Sequence, residues 1–344
     1  MTDATGVALA TYGLKKRYGQ RVALDGLDLR VPRGVVYGFL GPNGAGKTTT
    51  MRILTGLVHA DAGRVELLGQ PFGRGHRQRL FAVGALIESP SFYPFLSGRE
   101  NLRALAATGA PVPKARIDEL LTLVNLHERA GDRVSGYSLG MKQRLGIASA
   151  LLSDPQLLLL DEPANGLDPA GIVGMRDSLR ALAAAGKTVL VSSHILSEVQ
   201  QLADVVGIIA RGRLVREGHI ETLLQEEGAV RIRVAPDEVP AAAGVLASVA
   251  GEAAVTRDEE IDQGWLVVRT DPGRSSALNA ALAGAGIFAS RIEGATTLES
   301  LFLDLTGSTP DVGAGMTGGP PAGEPPVQWQ TAPGGKPEPK GWSS

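Results

Sequence analysis

Short apolar runs broken by polar turns fill the first part of the chain. Val7 to Leu14 predict a first strand, and Leu24, Leu27, Leu29 and Val31 alternate well enough to predict a second. Val35, Val36, Phe39 and Leu40 form an apolar run with the pattern of a buried strand, and Thr49 to Leu54 follow as the start of a helix. After a helix end and loop at Thr55-Gly56-Leu57, Gly63-Arg64-Val65 opens another strand. Leu80 to Leu86 are a further apolar stretch, ending at Ile87-Glu88-Ser89-Pro90. The period then changes. Ser97 with Glu100 is a helix-start signature, after which Leu102 and Leu105 space like one apolar face. Ile117, Leu120, Leu121 and Val124 repeat at helical spacing, and Ser138 caps a helix running through Leu145, Ile147 and Leu151. An all-helical insert over about 95–155 is therefore expected between strands.

Leu157 to Leu160 then form a short, wholly apolar run, as a central parallel strand should. Asn165-Gly166-Leu167-Asp168-Pro169 is a turn into a helix through Val173, Leu179 and Leu182, and Val189 to Val191 are the next strand. Val205 to Ile209 and Leu214-Val215 flank a turn at Arg211-Gly212-Arg213, a closing hairpin, and Ile220 to Glu227 predict a linker helix. Beyond it, Val230 to Val234 alternate with Arg231 and Arg233 as a half-exposed strand. Alanine-rich helices near 238–249 and 275–285 bracket strands near 252–257 and 264–270, and Ile287 to Ile292 close the pattern as a last strand. This β-α-β-β-α-β order over 228–306 fits a small α+β, ferredoxin-like accessory domain. Thr296 with Glu299 reads as a capping box, with Leu298, Leu301, Phe302 and Leu305 on one helix face that packs on neighbouring core or a second subunit. Residues 307–344 hold 9 Gly and 8 Pro and are expected to be a disordered tail, with Trp329 and Trp342 as weak docking points at most.

The chemistry concentrates at Gly41-Pro42-Asn43-Gly44-Ala45-Gly46-Lys47-Thr48, followed by Thr49. It fits G-x-x-x-x-G-K-[ST] at every fixed position, with a strand before it and a helix after. Glycines let backbone N–H groups fold round phosphate oxygens, and the helix start adds orphan donors and partial positive charge. Lys47 should reach the β and γ phosphates, and Thr48 should offer its hydroxyl to Mg²⁺. Asp161-Glu162-Pro163 end the apolar strand, and pleat alternation puts the two acids on opposite faces. Asp161 is placed to hold Mg²⁺ through water, and Glu162 to polarise a water aimed at the γ phosphate. His194 closes another strand at Ser192-Ser193, where ligand sites of open α/β sheets collect; it could bond a γ-phosphate oxygen or orient the water. His59, His76, His127 and His219 have no such company. Ser138 and Gly140 at a helix start are either a second anion site or a simple cap. Tyr18 divides between stacking on a purine and ordinary packing, and Glu88 between a metal-side acid and a solvated surface group. Phe92-Tyr93-Pro94-Phe95 is local core or a docking surface, in a chain with only 4% aromatics.

Composition narrows the classes. A chain of 344 residues with 43% hydrophobic and 20% charged positions has apolar material for two domains and a tail. Its net charge of −2 makes no electrostatic case for nucleic acid or an anionic membrane surface. Without cysteine, disulfides and thiolate chemistry are excluded. No apolar run approaches the roughly 20 residues that cross a bilayer, and the N-terminus has no secretion-signal pattern, so a cytoplasmic protein is expected.

Together these residues resemble the ATP-binding subunit of ABC transporters over about residues 7–225, and most closely the bacterial group exporting antibiotics, peptides or lipid-like compounds, such as bacitracin-export ATPases. The phosphate loop falls on Gly41 to Thr48, the adenine-stacking aromatic on Tyr18, the signature helix start on Ser138 to Gln143 and the acidic pair on Asp161-Glu162. The dimer-contact loop falls on Asn165 to Asp168 and the switch histidine on His194. The resemblance implies an α/β P-loop NTPase sheet with an antiparallel β-subdomain and an inserted helical subdomain. It implies ATP and Mg²⁺ as cofactors, an integral-membrane permease as a separate partner chain, and a second ATP-binding subunit. Ser138 and Gly140 of one subunit would clamp the γ phosphate held by the other, a homodimer being the symmetric arrangement. The protein would then sit on the inner face of the cell membrane through the permease. Two positions depart from the family pattern: the loop glutamine that senses Mg²⁺ and the transporter falls on Glu88, and the signature reads Ser-Leu-Gly-Met. The alternative is a soluble ABC-type ATPase in translation, repair or regulation. Those relatives usually carry two ATPase halves or a long coiled-coil insert, and neither is present here. A non-hydrolysing nucleotide-binding regulator is opposed by the intact Glu162 and His194.

Overall fold

The computed structural model describes residues 6–109, 112–226, 228–251, 254–257, 264–294 and 298–306. A four-stranded antiparallel sheet, in the order β2-β1-β4-β5, is built from β1 (Val7–Tyr18), β2 (Arg21–Pro32), β4 (Ala62–Leu67) and β5 (Gln70–Phe72). Beside it runs a six-stranded sheet in the order β10-β9-β3-β8-β7-β6. Its strands are β3 (Val36–Leu40), β6 (Val83–Leu86), β7 (Leu157–Asp161), β8 (Thr188–Ser193), β9 (Val205–Ala210) and β10 (Arg213–His219). All neighbours in it pair in parallel except β9 with β10. This is the α/β P-loop sheet with an antiparallel subdomain that the motifs implied.

Both faces of the larger sheet are covered, and β7 shows why its sequence is unbroken leucine. Leu157 and Leu159 enter the core shared with the antiparallel sheet, whereas Leu158 and Leu160 enter a second core beneath the helices. A strand buried on both sides has no polar positions to alternate with. The helical insert consists of α2 (Gly98–Ala106), α3 (Lys114–Leu123) and α4 (Leu139–Ala150). Ser97 and Glu100 form both halves of a capping box, and Ser138 caps α4 by accepting from the Met141 N–H. Leu102 is buried, but Leu105 on the expected apolar face is partly exposed and Ala106 packs inward instead. The apolar stretch 80–86 divides, its first half lying in a 3₁₀ turn at Arg77–Ala82.

Downstream, α6 (Leu196–Leu202) packs on the six-stranded sheet, and the linker helix α7 (Ile220–Glu226) is docked, burying Ile220 and Leu223 in the core beneath the helices. A separate antiparallel sheet, ordered β12-β13-β11-β14, comprises β11 (Ala229–Arg233), β12 (Val255–Arg257), β13 (Trp265–Arg269) and β14 (Arg291–Gly294). With α8 (Val239–Ala250) and α9 (Ser275–Gly284) it encloses its own core of Val230, Ile232, Leu246, Leu266, Leu278 and Leu282. The chain order is that of a split β-α-β unit. The last strand starts at Arg291, not Ile287. Gly286 has φ 79, the Ile287 N–H bonds to the Leu282 carbonyl, and Ile287 is buried. That residue closes the end of α9 as the hydrophobic partner of a C-terminal cap. The final helix, α10 (Leu298–Thr306), leaves this core altogether. Leu298, Leu301 and Phe302 join the core beneath the helices of the six-stranded sheet, and the Leu298 N–H donates to Gln200 Oε1 at 3.0 Å. Thr296 and the segment 307–344 lie outside the described residues.

Candidate active site

The phosphate loop joins β3 to α1 (Lys47–Leu54), which starts two residues earlier than its apolar pattern shows. Gly46 has φ 117, and a Cβ there would come 2.7 Å from the Ala23 carbonyl oxygen. Only glycine fits both demands. Lys47 is buried and its Nζ donates to the Gly41 carbonyl at 2.6 Å and the Pro42 carbonyl at 3.5 Å. Burial pulls its pKa below the ordinary lysine value, opposed by the charges of Glu162 and Asp161. The loop borders a cleft of about 500 Å³ lined by Tyr18, Arg21, Asn43, Thr48, Arg52 and Glu162 among others. Tyr18 is exposed there, with the Lys16 ammonium 5.4 Å from its ring centre.

Three neighbouring strands of the parallel sheet end together. Leu40 pairs with Ser193, and Asp161 with Ser192, so the loop, the acidic pair and His194 emerge from one edge. Asp161 is buried and accepts a hydrogen bond from the Ser192 hydroxyl. The expected pleat alternation of Asp161 and Glu162 does not occur. The strand stops at Asp161, and Glu162 takes a left-handed φ of 49. Its N–H donates to the Ser192 carbonyl at 3.2 Å and hydroxyl at 3.1 Å, while Gln143 Nε2 donates to its carbonyl at 3.4 Å. Turned this way, the carboxylate lies 3.7 Å from Lys47 Nζ and 2.8 Å from His194 Nδ1. The Glu162 carboxylate is thereby fixed at the mouth of the loop, where a general base toward water would have to stand.

Glu88 lies two residues beyond β6, also with positive φ, at 63, and pairs with Arg52. Ser138 is exposed at the start of α4, and neither it nor Gly140 lines the cleft. Gly140 instead faces the contact loop, where an added Cβ would come 3.1 Å from the Gly166 oxygen. Asp168 caps α5 (Pro169–Ala184) by accepting from the Gly171 N–H. The chain therefore gathers the loop, Tyr18, Lys47, Thr48, Asp161, Glu162 and His194, and leaves Ser138 outside. Sequence reasoning missed Arg21 and Arg52, and it named Gln143 and Ser192 only as parts of longer stretches, without a role of their own. Ser192 directly precedes Ser193-His194, so a hydroxyl at a strand end beside the acids was its available signal; Arg21 and Arg52 carry none beyond their charge.

Among the described residues no group of three or more His, Asp or Glu side chains forms a metal cage. One hydroxyl, Thr48, and one buried carboxylate, Asp161, suit Mg²⁺, which keeps waters and phosphate oxygens as its other ligands. No described helix is long and apolar enough to cross a membrane.

Residues 24–165 match the family described as ABC transporter. The chain is 48% identical over 210 residues to the bacitracin transport ATP-binding protein BcrA of Bacillus licheniformis, covering 61% of this chain and 69% of that protein. It is 40% identical over 307 residues to the daunorubicin resistance ATP-binding protein DrrA3 of Streptomyces coeruleorubidus, covering 87% of this chain and 96% of that one. Among solved structures, an ATP-binding subunit of an ABC transporter superposes with a TM-score of 0.58 at 28% identity, over 64% of this chain and 92% of the other.

Proposed function

Since the chain belongs to the ABC transporter ATP-binding proteins, we propose that it powers a membrane exporter for antibiotic, peptide or lipid-like cargo. It is an ATPase, converting ATP and water to ADP and phosphate. The observation that carries our reading of the site is the Glu162 carboxylate held between Lys47 and His194 at the mouth of the glycine loop. Bound Mg²⁺ supplies charge neutralisation at the phosphates. Thr48 and Asp161 would hold it. Backbone N–H groups of Gly44 to Thr48 orient the phosphates, Lys47 swings from the loop carbonyls to the β and γ oxygens, and Tyr18 covers the adenine. Glu162 takes a proton from the attacking water, and His194 orients that carboxylate.

Ser138 and Gly140 act on the nucleotide of a second copy, so that two chains pair head to tail around two ATP molecules. The permease docks on the helical insert and the loop at Glu88. Exposed Phe81 precedes that loop, and exposed Tyr93 and Phe95 follow it, their rings 5.8 Å apart. The protein is thereby held at the inner face of the membrane, and the names of the bacitracin and daunorubicin relatives support export as the direction. Glu162→Gln should retain ATP binding, accumulate as an ATP-bound dimer on size-exclusion chromatography, and lose hydrolysis by about 10²–10⁴-fold. Phosphate release near the parent rate would remove Glu162 from the base role.

A further inference from the structure

Glu88 and Arg52 form a pair that the reaction as described does not use. Arg52 lies on α1 four residues after Thr48, so the two side chains share one helix face, and both line the nucleotide cleft. Glu88 comes from a different element. In the parallel pairing of β6 with β7, Leu86 lies opposite Leu160; Glu88 follows two residues past the end of β6, and Glu162 one residue past the end of β7. Both turn away from the sheet with left-handed φ, 63 for Glu88 and 49 for Glu162. The turn at Glu88 brings its carboxylate onto the Arg52 guanidinium.

The charge count gives this pair a purpose. A glutamine at position 88 would add no charge beside the phosphates, but a glutamate adds a full negative charge next to a site built for a polyanion. Arg52 supplies an equal positive charge on the cleft side of that carboxylate. We propose that Arg52 is a positioning residue: it neutralises Glu88 and holds it to the rim, so that an acidic coupling loop remains compatible with ATP. This rests on the ATPase reading above. The competing role for Arg52 is to complement the dipole of the last turn of α1, and that role would move stability without depending on residue 88.

The test is a double-mutant cycle read by equilibrium binding of ATP, with steady-state KM and kcat alongside and melting temperature as the folding control. Arg52→Gln removes the charge while keeping a good helix former. It should weaken ATP binding about three- to tenfold in the Glu88 protein, a loss that shrinks at high salt. The loss should be larger in EDTA than with Mg²⁺, because the free nucleotide is more anionic. Glu88→Gln added to Arg52→Gln should restore most of the lost affinity, and Arg52→Lys should restore part of it in the Glu88 background. If the two substitutions act independently on ATP affinity, or Arg52→Gln lowers only the melting temperature, the assignment is overturned. A parent protein that neither binds nor hydrolyses ATP would instead overturn the ATPase reading, so the two failures are distinguishable.

Discussion

Glu162 and Glu88 are the same residue type on the same backbone device, just past the ends of adjacent parallel strands, and they sit in different surroundings. Glu162 is pinned through its N–H to Ser192 and through its carbonyl to Gln143, and its side chain is mostly buried between Lys47 and His194. Glu88 has a side chain 57% exposed, with the partly exposed Arg52 as its partner. A left-handed turn re-aims a side chain in both places; burial and the neighbours then decide what the carboxylate does. A fixed, mostly buried acceptor suits proton transfer, and an exposed charge pair suits sensing and coupling.

Amide substitution should break this pairing most visibly. In steady-state phosphate release, Glu162→Gln should lose at least about a hundredfold in kcat, and Glu88→Gln no more than about tenfold. Similar losses at both positions would show that the two turns are equivalent. Ser192→Ala sharpens the contrast. It removes the hydroxyl shared by Asp161 and the Glu162 N–H, so kcat should fall about tenfold with ATP binding largely kept; an unchanged kcat would mean that the Ser192 carbonyl alone holds the turn.

Two smaller effects fall outside the site and bound it. Ser97→Ala removes the cap of α2 and should lower unfolding free energy by about 1 kcal/mol in denaturant titration without changing the ATPase rate. Glu217, beneath the Tyr37 hydroxyl, has its pKa raised chiefly by burial, with that hydrogen bond opposing. Its ionised form is therefore disfavoured in the fold. The penalty is present above the folded pKa and is relieved as pH falls through it. Glu217→Gln should raise the melting temperature at neutral pH, by a margin that narrows on acidification. A margin that widens would reverse the sign.

The sequence was most legible where one residue type has one reason to be there. The phosphate loop, the fully apolar Leu157 to Leu160 and the Ser97 and Ser138 caps each announce a local constraint that tertiary packing does not alter. It was least legible where long-range packing chooses among local options. Ile287 is apolar and β-branched in a strand-like run, yet the left-handed Gly286 diverts it to close a helix. Glu162 follows a strand in sequence, but its turn depends on Ser192 and Gln143, thirty and nineteen residues away. Arg52 is an ordinary helical arginine until the fold brings Glu88 to it. The apolar face of α10 was plain, but only the fold shows that it joins the ATPase core and not the sheet it follows.

The central claim is a site shared between two copies, and mixing two inactive variants tests it most directly. Ser138→Arg and Glu162→Gln should each be inactive alone, because each damages every site of a homodimer. Combined before ATP is added, they should form mixed dimers with one intact site, restoring phosphate release to about a quarter of the parent rate at equal ratio. A mixture as inactive as its components, with mixed dimers verified by differential tagging, would contradict the shared site.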